Sequence, residues 1–99
     1  MKIYTVSTMD NLNPGEVYPR TVGYFADSET AIDAVETNRG DLSEGGYYPY
    51  VLIEEIKDGL YHPALKESRW LFEWNLDEKR YVPIEEPEIW ERIVGFSMG

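Results

Sequence analysis

The sequence contains no cysteine and only one histidine, His62. Without cysteine the chain has no disulfide framework and no thiolate metal site, and one histidine is too few for a histidine-rich zinc site. His62 follows a predicted turn and directly precedes Pro63, so we interpret it as an exposed loop residue rather than the base of a Ser-His-Asp site. There is no glycine-rich phosphate loop either. These absences argue against nucleophilic catalysis and structural zinc.

Positive charge is also scarce, because 9 Lys and Arg residues stand against 19 Asp and Glu residues, for a net charge of -10. The basic residues are scattered along the chain, so we expect no direct binding to nucleic acid and none to an anionic membrane. No apolar run approaches the roughly 20 residues of a membrane-spanning helix, and the first residues resemble a strand rather than a signal peptide. We therefore expect a cytoplasmic protein. The acidity serves solubility or forms a face that docks on a basic partner.

Aromatic side chains are abundant, at 14% of the 99 residues. A chain of this length has room for one domain, over 1–99, and one core. Trp70, Phe72 and Trp74 alternate along a predicted strand, so we expect them to share one face, most simply as core. Together with the apolar faces of two predicted helices, they exceed what one sheet–helix layer can bury. The remaining tyrosines are then available to a ligand or to a second copy of the chain.

The hydrophobic pattern predicts an α+β domain with a mainly antiparallel sheet of about five strands. The predicted strands cover 2–8, 21–25, 48–56, 69–76 and 81–84. A helix is predicted over about 27–39, with Asp27 as its N-cap and Gly40 as the left-handed residue that ends it. A short C-terminal helix over about 87–94 begins at Pro87. The first helix should pack on one face of the sheet, and the other face should be partly exposed or buried in a dimer.

Carboxylates could support a different chemistry, such as a metal-assisted phosphodiesterase. Glu54 and Glu55 are neighbours on a predicted strand, so they point to opposite faces and cannot share one metal ion. Asp41 and Glu44 lie in the loop after the first helix, where solvated side chains are the simplest interpretation. We rank a carboxylate-dependent enzyme below a binding protein, and we assign no catalytic residue, no metal and no cofactor.

Arginines and aromatic rings near the first helix suggest a site for a flat anionic ligand. The arginines would neutralise a phosphate, and a ring would stack on a base. An amide or carboxylate side chain would hydrogen-bond the sugar or the base edge. The candidate ligand-binding residues are Arg20, Tyr24, Asn38, Arg39, Asp41, Tyr48 and Trp74. Tyrosine and arginine also concentrate in protein–protein hot spots, and the sequence alone does not separate these two uses.

The sequence resembles a known protein family in four segments, residues 20–25, 48–56, 70–74 and 95–99. With Ala31, Val35, Asn38 and Asp41, this combination resembles a family of small acidic proteins from Gram-positive, often gut-dwelling, bacteria and their phages and mobile elements. The similarity spans nearly the whole chain. That family has no settled activity, so the resemblance supplies no functional residues. It implies a short protein of the kind that phages deploy inside a host.

Two function hypotheses follow. The first is a non-enzymatic phage-type binding protein, an anti-defence sponge that sequesters a nucleotide immune signal in a homo-oligomer. The second is an acidic protein–protein inhibitor that mimics nucleic acid and covers a basic groove of a host defence protein. The first predicts binding of a small nucleotide-like ligand, and the second predicts a salt-sensitive complex with a basic host protein. An accessory protein of the host without a defence role is a further possibility.

Overall fold

The structure, a computed structural model, describes residues 2–12, 19–57 and 69–86. Within them the chain forms five strands and one helix. The strands are β1 (Lys2–Met9), β2 (Arg20–Phe25), β3 (Tyr50–Lys57), β4 (Arg69–Asn75) and β5 (Arg80–Ile84), and the helix is α1 (Ser28–Glu36), between β2 and β3. The α+β class and the five-stranded sheet are confirmed. The helix predicted over 87–94, and His62, lie outside the described residues.

All four strand pairings are antiparallel, and the strand order across the sheet is β2-β1-β3-β4-β5. Side chains alternate between the two faces of a strand, so register partners share a face. Val6 pairs with Ile53, and Ile53 pairs with Trp70; these residues lie on the face that α1 covers, called here the helix face. Leu52 pairs with Leu71 on the opposite face, called here the far face.

The main core lies between the helix face and α1. Its buried members are Tyr4, Val6, Ala31, Val35, Val51, Ile53, Phe72 and Tyr81. Trp70 and Trp74 pack against this cluster, with the Trp70 ring 5.9 Å from that of Tyr4 and the Trp74 ring edge-on to that of Tyr81 at 5.1 Å. The three alternating rings of β4 therefore share one face, as predicted, and they serve the core.

The far face has a smaller apolar cluster of Met9, Leu52 and Leu71, all buried. Beside it runs a buried polar row, since Thr5 pairs with Glu54 and Glu54 pairs with Arg69. All these side chains are buried within the single chain, so a second copy is not needed to cover them.

Helix α1 begins where the sequence predicts. The Asp27 carboxylate accepts hydrogen bonds from the backbone N–H and the hydroxyl of Thr30, each at 2.8 Å. The backbone N–H, and then the hydroxyl, lower the pKa of Asp27, which is the behaviour of an N-cap carboxylate. Within the described segments, no helix has the length and apolarity needed to cross a bilayer.

The predicted end of α1 is wrong, because the helix ends at Glu36 rather than near residue 39. Asn38, with φ of 49°, takes the left-handed position that was assigned to Gly40. The backbone N–H of Asn38 donates to the Val35 carbonyl at 3.0 Å, and the backbone N–H of Arg39 donates to the Ala34 carbonyl at 2.9 Å. These two hydrogen bonds form the Schellman pattern. Asparagine tolerates the left-handed conformation better than most residues, so it ends the helix two positions before the glycine.

Candidate functional site

The connection from α1 to β3, residues 37–49, is called here the α1–β3 loop, and a polar network holds it together. One oxygen of the Asp41 carboxylate accepts hydrogen bonds from the Asn38 side-chain amide at 3.3 Å, the Ser43 hydroxyl at 3.2 Å and the Gly45 N–H at 3.3 Å. The Asn38 side-chain oxygen accepts from the N–H of Ser43, a residue only 1% exposed, at 2.9 Å. The Gly45 N–H, followed by the Asn38 amide, lowers the pKa of Asp41.

Asn38 and Asp41 were both predicted to bind a ligand. The structure brings them together, but their mutual contacts shape the loop. Left-handed backbone conformations follow at Asp41, with φ of 57°, and at Glu44, with φ of 48°. Non-glycine residues in this region are uncommon and persist where surrounding contacts enforce them.

The loop reaches β2 through Arg20. A guanidinium nitrogen of Arg20 lies 2.6 Å from a carboxylate oxygen of Glu44, and the guanidinium carbon lies 6.0 Å from the centre of the Tyr48 ring. Contacts with the Tyr48 side chain, and then with Glu44, raise the pKa of Arg20. Two predicted site residues, Arg20 and Tyr48, are therefore in contact. Tyr47 packs edge-on against Tyr48, with ring centres 4.8 Å apart.

A residue of the main core, Tyr81, binds the backbone of Tyr48. The Tyr81 hydroxyl donates to the Tyr48 carbonyl at 2.5 Å. Burial, and secondarily the charge of Asp41, raise the pKa of Tyr81, so its hydroxyl stays protonated and able to donate. The backbone N–H of Trp74 donates to the Pro49 carbonyl at 2.7 Å. The base of the loop is therefore joined to both β4 and β5.

A small cavity of about 170 Å³ lies next to this loop, between β2 and α1. Its lining residues are Val6, Val22, Gly23, Phe25, Ala34, Arg39 and Leu42. The walls are apolar except for Arg39, whose guanidinium carbon lies 6.0 Å from the Phe25 ring centre and whose nitrogen lies 3.2 Å from an oxygen of Asp33. An apolar space with one cationic group suits a flat ring that carries negative charge.

The cavity and the Arg20 contact belong to one region, called here the β2 corner. Val22 and Leu42 line the cavity, and each lies two residues from a member of the Arg20–Glu44 pair. Arg20 is on the helix face, because it pairs with Thr8 and Thr8 pairs with Val51 of the main core. The β2 corner therefore contains Arg20 and Arg39, the two arginines predicted to bind a ligand.

Two predicted residues lie elsewhere. Tyr24 pairs with Thr5, which pairs with the buried Glu54, so its ring projects from the far face and is 68% exposed. Tyr24 lies on the opposite face of β2 from Arg20, so the two side chains cannot both contact one small ligand at the β2 corner. Trp74 is half-buried against Tyr81 and belongs to the edge of the main core.

Several residues of the β2 corner were not predicted. The sequence indicates only a solvated loop carboxylate at Glu44, and it does not indicate the apolar walls. The register of β1 with β2 shifts between Val6 and Ser7: Val6 pairs with Gly23 and Ser7 pairs with Thr21. Val22 is therefore an extra residue of β2, inserted beside Gly23. An isolated glycine inside a strand often marks a bulge, so Gly23 was the available signal, but it does not indicate which residues line a cavity.

The described residues contain no group of three or more His, Asp or Glu side chains placed to hold a metal ion. Glu54 and Glu55 point to opposite faces, since Glu54 is buried beside Arg69 on the far face and Glu55 lies 3.4 Å from the Tyr4 hydroxyl. Comparisons with protein-family models, curated proteins and solved structures found no match for this chain.

Proposed function

We propose that this chain is a non-enzymatic binding protein that holds a small anionic ligand with a flat ring at the β2 corner. The cavity beside Arg39 is the observation that carries the proposal. Pockets for drug-sized ligands have volumes of about 300–1,000 Å³. A cavity of about 170 Å³ therefore accepts one ring, and the rest of the ligand lies outside it.

A nucleotide fits this description. Its base would enter the cavity against Val22 and Leu42, while its phosphate would contact Arg39 or Arg20. The Arg39–Asp33 pair is an exposed ion pair, with the two side chains 56% and 65% exposed, so a phosphate can replace Asp33 at small cost. With the phage context that the sequence resemblance implies, the ligand would be a nucleotide immune signal, sequestered in a homo-oligomer.

Calorimetric titration with AMP, cyclic nucleotides, cyclic dinucleotides and ADP-ribose tests this function. We expect at least one of them to bind at micromolar concentration. Gly23→Val should weaken that binding about tenfold or more, since Gly23 lines the cavity and a β-carbon there meets no atom within 4 Å. The new side chain would therefore fill the cavity and leave the strand intact.

Arg39→Gln should also weaken binding, while Arg80→Gln serves as the matched control. Arg80 is likewise an exposed arginine with a carboxylate partner, Glu78, but it lies at the start of β5. Failure of every nucleotide to bind at micromolar concentration would contradict the proposal. Equal affinities of the wild-type chain and Gly23→Val would exclude the cavity as the site.

The acidic surface favours a second candidate function, an inhibitor that docks on a basic protein. Glu29, Asp33 and Glu36 are spaced four and three residues apart, so they share one side of α1. Glu29 and Asp33 are exposed, and Glu36 is half-buried. The exposed side chains of Arg20, Arg39 and Arg80 each pair with a carboxylate, so much of the positive charge in the described part of the chain is neutralised locally. Asp33 is itself paired with Arg39, so Glu29 and Glu36 contribute most of the negative charge that a basic groove could cover on this side of α1.

A further inference from the structure

Glu44 occupies the place beside Arg20 that an anionic ligand group would take. We propose that Glu44 is a built-in competitor, which a ligand must displace to pair with Arg20. The inference rests on the proposed ligand site at the β2 corner and adds a residue that determines which ligands are accepted there.

The geometry of the Arg20–Glu44 pair resembles ligand recognition. The carboxylate oxygen lies 2.6 Å from the guanidinium nitrogen, slightly closer than the roughly 2.7–2.9 Å typical of the charge-assisted contacts that arginine makes with phosphates and carboxylates. The guanidinium also contacts the Tyr48 ring. Glu44 therefore keeps the guanidinium beside this ring in the absence of a ligand, and a phosphate could take the same position.

The loop does not depend on the Glu44 side chain for its shape. Its internal bonds run from Asn38, Ser43 and Gly45 to Asp41, and from Ser43 to Asn38. The backbone N–H of Glu44 donates to the Asp41 carbonyl at 3.0 Å. The Glu44 side chain is 52% exposed, so it can turn into solvent when an anion takes its place, without unfolding the loop.

Displacement of this kind selects ligands by charge. A ligand without an anionic group gains nothing at Arg20 and leaves the ion pair closed. A ligand with a phosphate that reaches Arg20 from the cavity replaces one charge-assisted contact with another. Glu44 should therefore lower the affinity for phosphorylated ring compounds, which must displace it, and leave the affinity for uncharged ones unchanged.

The experiment compares AMP with adenosine, which differ by the phosphate alone. Both are titrated at low salt into the wild-type chain, Glu44→Gln and Glu78→Gln. Glu78 is a matched control, because it is 52% exposed and also pairs with an arginine, Arg80. We expect Glu44→Gln to bind AMP about two- to fivefold more tightly than the other two proteins, the size of effect that an exposed ion pair produces. Adenosine should bind all three equally.

Each other outcome overturns the competitor role in a recognisable way. Equal AMP affinities in all three proteins leave the ligand site standing and remove Glu44 from it. Tighter AMP binding by Glu78→Gln as well identifies an effect of net charge. Tighter adenosine binding by Glu44→Gln identifies opening of the cavity. Failure of all three proteins to bind AMP overturns the inference, whereas the proposed function falls only when the whole nucleotide panel fails.

Discussion

Asn38 has two structural roles. Its backbone takes the left-handed conformation that ends α1, and its side chain accepts a hydrogen bond from the N–H of the buried Ser43. Removal of the side chain leaves that buried N–H without its partner, which costs about 1–3 kcal/mol. Asn38 therefore contributes to stability even if it never contacts a ligand.

We predict that Asn38→Ala lowers the free energy of unfolding by about 2–4 kcal/mol, through the lost hydrogen bonds and the strained backbone. Asn38→Gly should cost about 1 kcal/mol less, because glycine adopts the left-handed conformation without strain. Urea denaturation followed by tryptophan fluorescence measures both values.

Gly40→Ala is the control for the backbone contribution. Gly40 has φ of 66°, and a β-carbon there meets nothing within 4 Å, so the substitution costs about 1–2 kcal/mol from conformation alone. Equal stabilities of Asn38→Ala and Asn38→Gly would show that the left-handed backbone of Asn38 carries no measurable strain.

The exchange of roles between Asn38 and Gly40 shows what a sequence leaves open. Both residue types accept left-handed backbone, and both occur near the end of the helical pattern. The choice depends on Ser43 and Asp41, which bind the Asn38 side chain only after the loop has folded back. Local propensity predicts that a left-handed residue ends α1, but tertiary contacts decide which one.

Arg69 connects β3, β4 and the residues that follow β5. It is the first residue of β4, it pairs in register with Glu54 of β3, and its side chain lies 2.6 Å from Glu86, which follows β5. The side chains of Arg69 and Glu86 are 3% and 8% exposed. Breaking a buried ion pair by removing one partner leaves a charge in a medium that solvates it poorly.

We predict that Arg69→Met lowers the free energy of unfolding by about 3–5 kcal/mol, since it leaves Glu86 and Glu54 buried without this guanidinium. Glu86→Gln keeps an oxygen near Arg69 and should cost less, about 1–3 kcal/mol. Glu78→Gln removes one member of an exposed pair and should change stability by about 1 kcal/mol or less. Urea denaturation of the four proteins gives these differences.

A small domain with a stability of about 5–15 kcal/mol can fail to fold after one severe substitution. If Arg69→Met does not fold, Glu86→Gln still tests the prediction. A cost for Glu86→Gln no larger than that for Glu78→Gln would mean that the buried pair adds nothing beyond a surface pair.

The elements themselves were largely predictable. Alternating apolar residues marked all five strands to within two residues, and the Asp27 cap marked the start of α1. The strand order was not predicted, because β1 lies between β2 and β3 and pairs with residues about 50 positions away. The buried contact between Arg69 and Glu86 depends on that assembly, so no local pattern indicated it.

For the whole molecule, the surplus of aromatic rings is smaller than the sequence suggests. Tyr4 and Tyr81 are buried in the main core, and Trp70 and Trp74 pack against it. Of the tyrosines that remain in the described segments, Tyr24 and Tyr47 are the most exposed, at 68% and 67%, and they belong to different parts of the structure. The rings of the described segments therefore form no single stacking wall.

If the acidic side of α1 docks on a basic partner, its carboxylates should dominate the affinity for a basic probe. We predict that a fluorescent hepta-arginine peptide binds the chain and loses affinity as salt rises from about 50 to about 300 mM, since counterions screen exposed charges. Fluorescence anisotropy measures the affinity. The double variant Glu29→Gln, Glu36→Gln should bind several-fold more weakly, because it removes two charges from one side of α1.

The matched control is Asp77→Asn, Glu78→Gln, which removes two exposed charges from the turn between β4 and β5. Both double variants have the same net charge, so a difference between them reports the location of the docking surface. Equal losses would mean that the peptide responds to net charge alone. An affinity that stays constant as salt rises would contradict electrostatic docking, because the distance over which exposed charges attract one another shortens with salt, to about 10 Å at 0.1 M and about 3 Å at 1 M.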